Sequence, residues 1–271
     1  MDPALLPEVR LRHAVAVEVA RAAGALLLER LGHVVAESKG EVEFVTEADR
    51  ASEALILGRL AADFPDDAVF SEESGETGGR RFRWIVDPLD GTTNYVHGNP
   101  LFVVSIGLEQ DGELVSGVIF HPWSGELFEA PPDGGAWLNG QPIRVSDVPD
   151  AGQALFVTGF PYYRRRVVDD LLARVKRAIL TGHALRRSGS AALDLAWLAC
   201  GRVDAYWEEG LFPYDVSAGL LLVRRAGGRV STYEGRDYRL GDPTLVATNG
   251  RVHADVVALL GPAPEPVGPR T

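Results

Sequence analysis

The stretch that decides the reading is Trp84-Ile85-Val86-Asp87-Pro88-Leu89-Asp90-Gly91-Thr92-Thr93-Asn94. The apolar run from Phe82 to Val86 predicts a strand that delivers Asp87 to its C-terminal end. Pro88 fixes the backbone, Asp90 returns to the same point, and Gly91 lets the chain turn. The amides of Gly91, Thr92 and Thr93 can then open a helix. Two carboxylates beside a helix N-terminus form a joint site for a hard cation and an anion. An Asp-Gly turn with Asx capping is the competing reading, and the preceding strand and following Thr-Thr-Asn argue against it.

Working outward, apolar residues recur at helical spacing from Leu11 to Leu31, with Gly32 as the stop. A second helix is expected over Thr46 to Phe64, with Thr46 as N-cap and Asp49 three residues on, close to a capping box. Ala68 to Ser71 reads as a short strand. Leu101 to Leu108, Leu114 to His121 and Gly125 to Ala130 read as an antiparallel meander, turning at Asp111-Gly112 and at Pro122-Trp123-Ser124-Gly125. Helices over Val167 to Leu180, Ser190 to Cys200 and Asp215 to Ala226 alternate with short strands near Leu155, Ala205 and Thr244. The pattern predicts a mixed α/β fold with helices packed on sheets. Residues 1–260 are read as a single domain of two fused α/β halves. Residues 261–271, with four prolines, are read as a frayed tail.

Hydrophobic residues make up 46% of the 271-residue chain and charged residues 24%, enough for a substantial core. A net charge of −11 and a pI of about 5.0 argue against a nucleic-acid partner. The same charge would repel phosphate esters unless a bound cation inverts the local field. One cysteine, Cys200 in an apolar context, excludes a disulfide within the chain and fits a packing role in a reducing compartment. Met1 to Arg10 lacks a signal-peptide pattern, and no apolar run approaches the roughly 18 residues of a membrane span. A cytoplasmic protein with no membrane partner is expected.

Other acidic positions join the first two. Glu72-Glu73-Ser74 follows the short strand, although two such glutamates also suit a solvated loop. Asp49 taken alone reads as a surface residue, and Asp215, in Pro213-Tyr214-Asp215-Val216-Ser217-Ala218-Gly219, as a helix cap. Gly189-Ser190-Ala191-Ala192 opens a helix with small residues that let a ligand come close to the backbone. Together the carboxylates outnumber the caps a fold needs. An oxygen-rich set poor in histidine and cysteine selects Mg2+, Mn2+ or Ca2+ over Zn2+, and paired hard cations suit phosphoryl transfer to water. Ser188-Gly189-Ser190 lacks the Gly-x-Ser-x-Gly elbow of a serine hydrolase and no histidine is evidently related to it; structural roles are expected for His97 and His121. Neither a Walker A pattern nor a Gly-x-Gly-x-x-Gly fingerprint occurs.

Asp87-Pro88-Leu89-Asp90-Gly91-Thr92 resembles the signature of the inositol monophosphatase family of lithium-sensitive phosphatases. Glu72-Glu73-Ser74 resembles that family's upstream acidic motif and Tyr214-Asp215-Val216-Ser217-Ala218-Gly219 its downstream one, with matching order and spacing from about Leu11 to Leu260. Thr93-Asn94-Tyr95-Val96-His97-Gly98 is more similar to the inositol branch than to the nucleotide bisphosphatase branch. The resemblance implies a layered αβαβα sandwich of the sugar-phosphatase type, a homodimer, and two to three Mg2+ ions, with Mn2+ as a substitute and Ca2+ and Li+ as inhibitors. It implies that Glu72 and Asp87, with the Leu89 carbonyl, hold a first metal, that Asp87, Asp90 and Asp215 hold a second, and that Glu72 bears on a third. Thr92 with Asp49 would orient the attacking water, and the amides of Gly91, Thr92 and Thr93 would take the phosphate. Gly189, Ser190, Ala191, Glu208 and Asp215 would meet the polyol.

Two positions depart from the pattern: Tyr214 stands where the family usually has Trp, and Lys39 lies near a family lysine on a loop of different length. The implied activity is hydrolysis of a small polyol phosphomonoester, with inositol-1-phosphate foremost. Fructose-1,6-bisphosphatase and histidinol-phosphate phosphatase activities use similar motifs. A reading of another class is a protein that contacts the transcription machinery and carries phosphatase activity as a second role.

Overall fold

The computed structural model describes residues 5–32, 36–38, 44–79 and 81–262. Lys39 and residues 263–271 of the expected tail lie outside them. Seven helices and fifteen strands are assigned within the described residues. Helices α1 (Leu6–Arg30) and α2 (Glu47–Asp63) pack on one face of an eight-stranded sheet. That sheet runs in the order β10-β9-β8-β7-β6-β5-β3-β4: β10 (Gln141–Ile143), β9 (Ala136–Leu138), β8 (Glu126–Ala130), β7 (Glu113–His121), β6 (Val103–Gln110), β5 (Phe82–Asp90), β3 (Ala68–Ser71), β4 (Gly75–Thr77). It is antiparallel except where β3 runs parallel to β5. Its other face carries α5 (Ala191–Ala199) and α6 (Pro213–Arg225).

Beyond these helices lies a five-stranded sheet in the order β12-β11-β13-β15-β14: β12 (Ala184–Arg186), β11 (Leu155–Thr158), β13 (Ala205–Glu209), β15 (Thr244–Thr248), β14 (Arg229–Ser231). Helices α4 (Val168–Thr181) and α7 (His253–Leu260) lie against that sheet. A two-stranded hairpin pairs β1 (Ala36–Ser38) with β2 (Phe44–Thr46). The layering is αβαβα, as the resemblance implies. Buried apolar residues form three clusters, one under α1 and α2, one around α5 and α6, and one beneath α7.

The expected turns fall where the residues require them. Asp111 and Gly112 both have positive φ (51° and 84°), the two-residue turn that matches strand twist, and they join β6 to β7. Thr46 caps α2 by accepting from the Ala48 and Asp49 amides, while Asp49 returns a bond to the Thr46 amide. This capping box contributes on the order of 1 kcal/mol.

Three expectations need correction. The strand expected over Phe82 to Val86 runs on to Asp90, with its pairing to β6 shifting register between Asp87 and Asp90. Pro88, which has no amide to donate, sits in that irregularity. The strand expected from Leu101 begins at Val103, after Pro100 and a turn. Asp49 is no surface residue: it is 0% exposed, because its helix face turns to the sheet and to Thr92.

Two glycines set the depth of the central helices. Gly107 and Gly117 are paired across β6 and β7. A side chain on Gly107 would overlap Ser217, and one on Gly117 would come within 3.0 Å of the Ala218 backbone. Helix α6 therefore lies directly on the sheet, and that close approach carries Asp215, in its first turn, toward the end of β5.

Candidate active site

The site gathers where β5 ends. Gly91, at φ 97°, caps a short helix α3 (Thr92–Val96), a backbone that only glycine takes without strain. The first amides of this turn have no helical carbonyl before them and remain available to an anion. Glu72 follows β3, the parallel neighbour of β5, so its side chain arrives at the same sheet end as Asp87. Asp215 and Glu208 arrive from α6 and β13, and Gly189, Ser190 and Ala191 from the start of α5.

A cleft of about 510 Å³ brings together every expected site residue except one: Glu72, Asp87, Leu89, Asp90, Gly91, Thr92, Thr93, Gly189, Ser190, Ala191, Glu208 and Asp215 all line it. The exception, Asp49, stands behind Thr92, whose hydroxyl donates to Asp49 Oδ1 at 3.0 Å. Thr92 Oγ1 also lies 3.2 Å from the Leu89 carbonyl oxygen. The Leu89 amide donates to Asp87 Oδ1 at 3.1 Å, and Ser52 Oγ donates to the Pro88 carbonyl at 2.7 Å, so the Asp-Pro-Leu-Asp corner is held from both sides.

The electrostatics are those of crowded acids. Asp87 is 1% exposed, and burial followed by the charges of Glu72, Asp90 and Asp215 pushes its carboxyl well above the usual range. Asp215 is pushed up by burial and by Asp90, against an amide bond from Phe212 at 2.6 Å. Asp90 is raised to about 6 by burial, even though Ser190 Oγ and the Ala192 amide donate to it. Glu208 is raised to about 7, again chiefly by burial, with the Tyr206 hydroxyl donating to it at 2.6 Å. Burial also raises Asp49, opposed by bonds from Thr46 and Thr92.

Buried like charges of this kind need a proton or a cation between them. Among the described residues no three His, Cys, Asp or Glu side chains are drawn into one ligand sphere. The donor chemistry fits a hard divalent ion: carboxylates and a backbone carbonyl, with no nitrogen or sulfur ligand lining the cleft.

Residues that the sequence did not single out also line the cleft. Gly159 faces Glu208 so closely that any side chain there would overlap its carboxylate. Arg187 lies 5.8 Å above the Phe160 ring and offsets the charge of Asp90 and Glu208. Asp194 is 1% exposed and takes the Ser188 hydroxyl at 2.6 Å. Asn94 ties Ser188 to the first motif, donating to the Ser188 and Leu101 carbonyls.

The rival readings end elsewhere. Ser190 Oγ is bound to Asp90 and Ser188 Oγ to Asp194, with no histidine in either bond. His121 is structural, bridging the Pro100 carbonyl and Ser124. Burial raises the Cys200 thiol, which suits packing and not nucleophilic attack. Tyr214 stacks on Phe212 at 5.2 Å and leans on Phe70 at 5.7 Å, so its ring does the packing expected of the family's Trp.

A layered αβαβα sandwich with acidic motifs converging at the end of one strand is the arrangement that the resemblance implies, and the comparisons with known proteins make the chain a phosphoric monoester hydrolase. A model of the inositol monophosphatase family matches residues 9–263, and the chain belongs to that family. It is 42% identical over 255 residues to the inositol-1-monophosphatase of a Synechocystis strain, covering 93% of this chain and 89% of that one. It is 40% identical over 243 residues to the Nus factor SuhB of Escherichia coli K12, covering 88% and 91%. The inositol monophosphatase structure from Anabaena superposes with a TM-score of 0.85 at 42% identity, covering 93% of this chain and 96% of that one.

Proposed function

We propose that this protein hydrolyses the phosphomonoester of a small polyol, with inositol-1-phosphate foremost, in a Mg2+-dependent reaction. The observation that carries the reading is the burial of Asp87 amid the charges of Glu72, Asp90 and Asp215, beside the amides of the Gly91 turn. Glu72, Asp87 and the Leu89 carbonyl would hold one ion, Asp87, Asp90 and Asp215 a second, and Glu72 would bear on a third. Bound Mg2+ would supply a low-pKa water and neutralise charge on the phosphate oxygens.

The chain's own groups do the rest. Because the Thr92 hydroxyl donates a hydrogen bond to Asp49 Oδ1, its oxygen lone pairs are free to accept from the attacking water. Burial makes Asp49 a better resting place for a proton than a surface aspartate. The amides of Gly91, Thr92 and Thr93 are suited to a phosphate. Glu208 and the small residues Gly189 to Ala191 leave room for hydroxyls and can accept from them.

Further expectations are a cytoplasmic location, a homodimer in solution, substitution of Mg2+ by Mn2+, and inhibition by Ca2+ and by millimolar Li+. Among the described residues no helix is long and apolar enough to cross a membrane. Phosphate release from inositol-1-phosphate, fructose-1,6-bisphosphate, histidinol phosphate and 3′-phosphoadenosine-5′-phosphate tests the substrate. Preference for the first supports the reading, and preference for another keeps the chemistry and changes the substrate.

A second role is favoured by the relatives that carry the name Nus factor, at 38–41% identity. Contact with the transcription apparatus would survive Asp90→Asn. Failure of that variant to retain RNA polymerase or its elongation factors from a lysate that the wild type retains them from would count against an activity-independent contact.

A further inference from the structure

Glu53 lies on α2, one turn beyond Asp49, and is 7% exposed. A glutamate inside a helix ordinarily faces water, and burying its charge is costly unless the oxygens are fully engaged. Here they are engaged by a single segment of chain. Glu53 Oε1 accepts from Ser71 Oγ at 2.5 Å, from the Glu73 amide at 3.2 Å and from the Ser74 amide at 3.0 Å. Glu53 Oε2 accepts from Ser74 Oγ at 2.6 Å. The donors flank Glu72 on both sides, so one carboxylate grips the turn that leaves β3 at its start and at its end.

This grip fastens the turn at both of its ends. The Glu72 amide donates to the Val86 carbonyl at 3.3 Å, one residue before Asp87. Glu72 is therefore fixed to β5 on its own amide and to α2 through its neighbours. Helix α2 also carries Asp49 and Ser52, which hold Thr92 and the Pro88 carbonyl. One helix face, Asp49-Ser52-Glu53, thus reaches all three parts of the first acidic centre.

We propose that Glu53 is the positioning residue that sets Glu72 against Asp87, and through it the affinity of the cleft for divalent cations; this rests on the metal-dependent reading above. Glu53 is not among the residues that line the cleft. Ordered carboxylates bind a cation more tightly than mobile ones because less freedom is lost on binding. Loss of the grip should therefore weaken cation binding while leaving the loaded site competent.

The test is calorimetric titration of the full chain with Mg2+ and with Mn2+, for wild type, Glu53→Gln and Ser74→Ala, beside the Mg2+ dependence of phosphate release. Glu53→Gln places an amide donor against hydroxyl and amide donors; its cation affinity should fall about tenfold or more, and kcat at saturating Mg2+ should stay within about threefold. Ser74→Ala removes only the bond to Oε2 from an exposed position, so it keeps the test decisive if Glu53→Gln does not fold; its affinity should fall by a smaller factor. A purely structural Glu53 would lower the melting temperature without changing cation affinity, and that result in a folded variant overturns the proposal. Wild-type cation binding without release of phosphate from any polyol ester would overturn the proposed function and leave the Glu53 comparison standing. No cation binding by the wild type overturns both.

Discussion

Asp90 Oδ2 accepts from Ser190 Oγ at 2.6 Å and from the Ala192 amide at 2.7 Å, so the strand that ends at Asp90 is joined to the N-terminus of α5, 100 residues on in sequence. A carboxylate at this position satisfies the unpaired amides of the helix start and meets the positive end of its dipole. Asp90 Oδ2 thus ties the two halves of the cleft together.

Asp90→Asn should separate these duties. The amide oxygen can still accept from Ala192, so the fold should survive, and the lost charge relieves repulsion with Asp87 and Asp215. Activity should fall below about a tenth of wild type at saturating Mg2+, since under the proposed function Asp90 is a metal carboxylate. Circular dichroism and phosphate release check both halves, and retained activity would remove Asp90 from the metal set.

Thr92→Ala should cost roughly 100-fold or more in kcat, because it removes the hydroxyl that links Asp49 to the cleft. Thr92→Ser keeps that hydroxyl and should stay within about tenfold of wild type. Equal losses in the two variants would show that the threonine matters for packing alone.

The legible part of this molecule was the part written in local chemistry. The Asp87 to Thr93 corner declared itself through an apolar strand, a proline and a glycine, and the α2 capping box through Thr46 and Asp49. Three-residue strands such as β9, β10, β12 and β14 are too short to show a period, and α7 is short with little polar contrast. Glu53, Asp194 and Arg187 were missed for a different reason. Each looks like an ordinary charged residue until the fold brings its partners beside it, as Ser71 is beside Glu53, Ser188 beside Asp194 and Glu208 within reach of Arg187's charge. Asp49 was misjudged alone because a cap exposes one helix face or buries it depending on the sheet it meets.

Gly159→Ala should behave as a partial loss of Glu208. The added methyl would overlap the Glu208 carboxylate and push it from its bond with Tyr206. KM for a polyol phosphate should rise about tenfold, with a smaller change in kcat, because the proposed role of Glu208 is a hydroxyl contact and not the reacting centre. An unchanged KM would move polyol recognition away from Glu208.

Stability of the chelated protein should fall as pH rises through 7. Glu208 is raised from 4.5 to about 7 in the folded state, so the native protein holds a proton that the unfolded chain has already released. That contribution is complete below about pH 4.5 and is lost as pH climbs past 7, amounting to roughly 3 kcal/mol. Denaturant melts of wild type and Glu208→Gln at pH 5 and pH 8 check the sign. The variant should show the smaller difference between the two, and an equal difference would assign the effect to other groups.

The most direct test of the central claim is phosphate release from inositol-1-phosphate by the chelator-stripped protein, before and after Mg2+ is restored. No release when stripped, with full turnover on adding Mg2+, is the expected result. Release that continues without any divalent cation, or no release after Mg2+ is restored, would contradict a cation-dependent phosphatase built on Glu72, Asp87, Asp90 and Asp215.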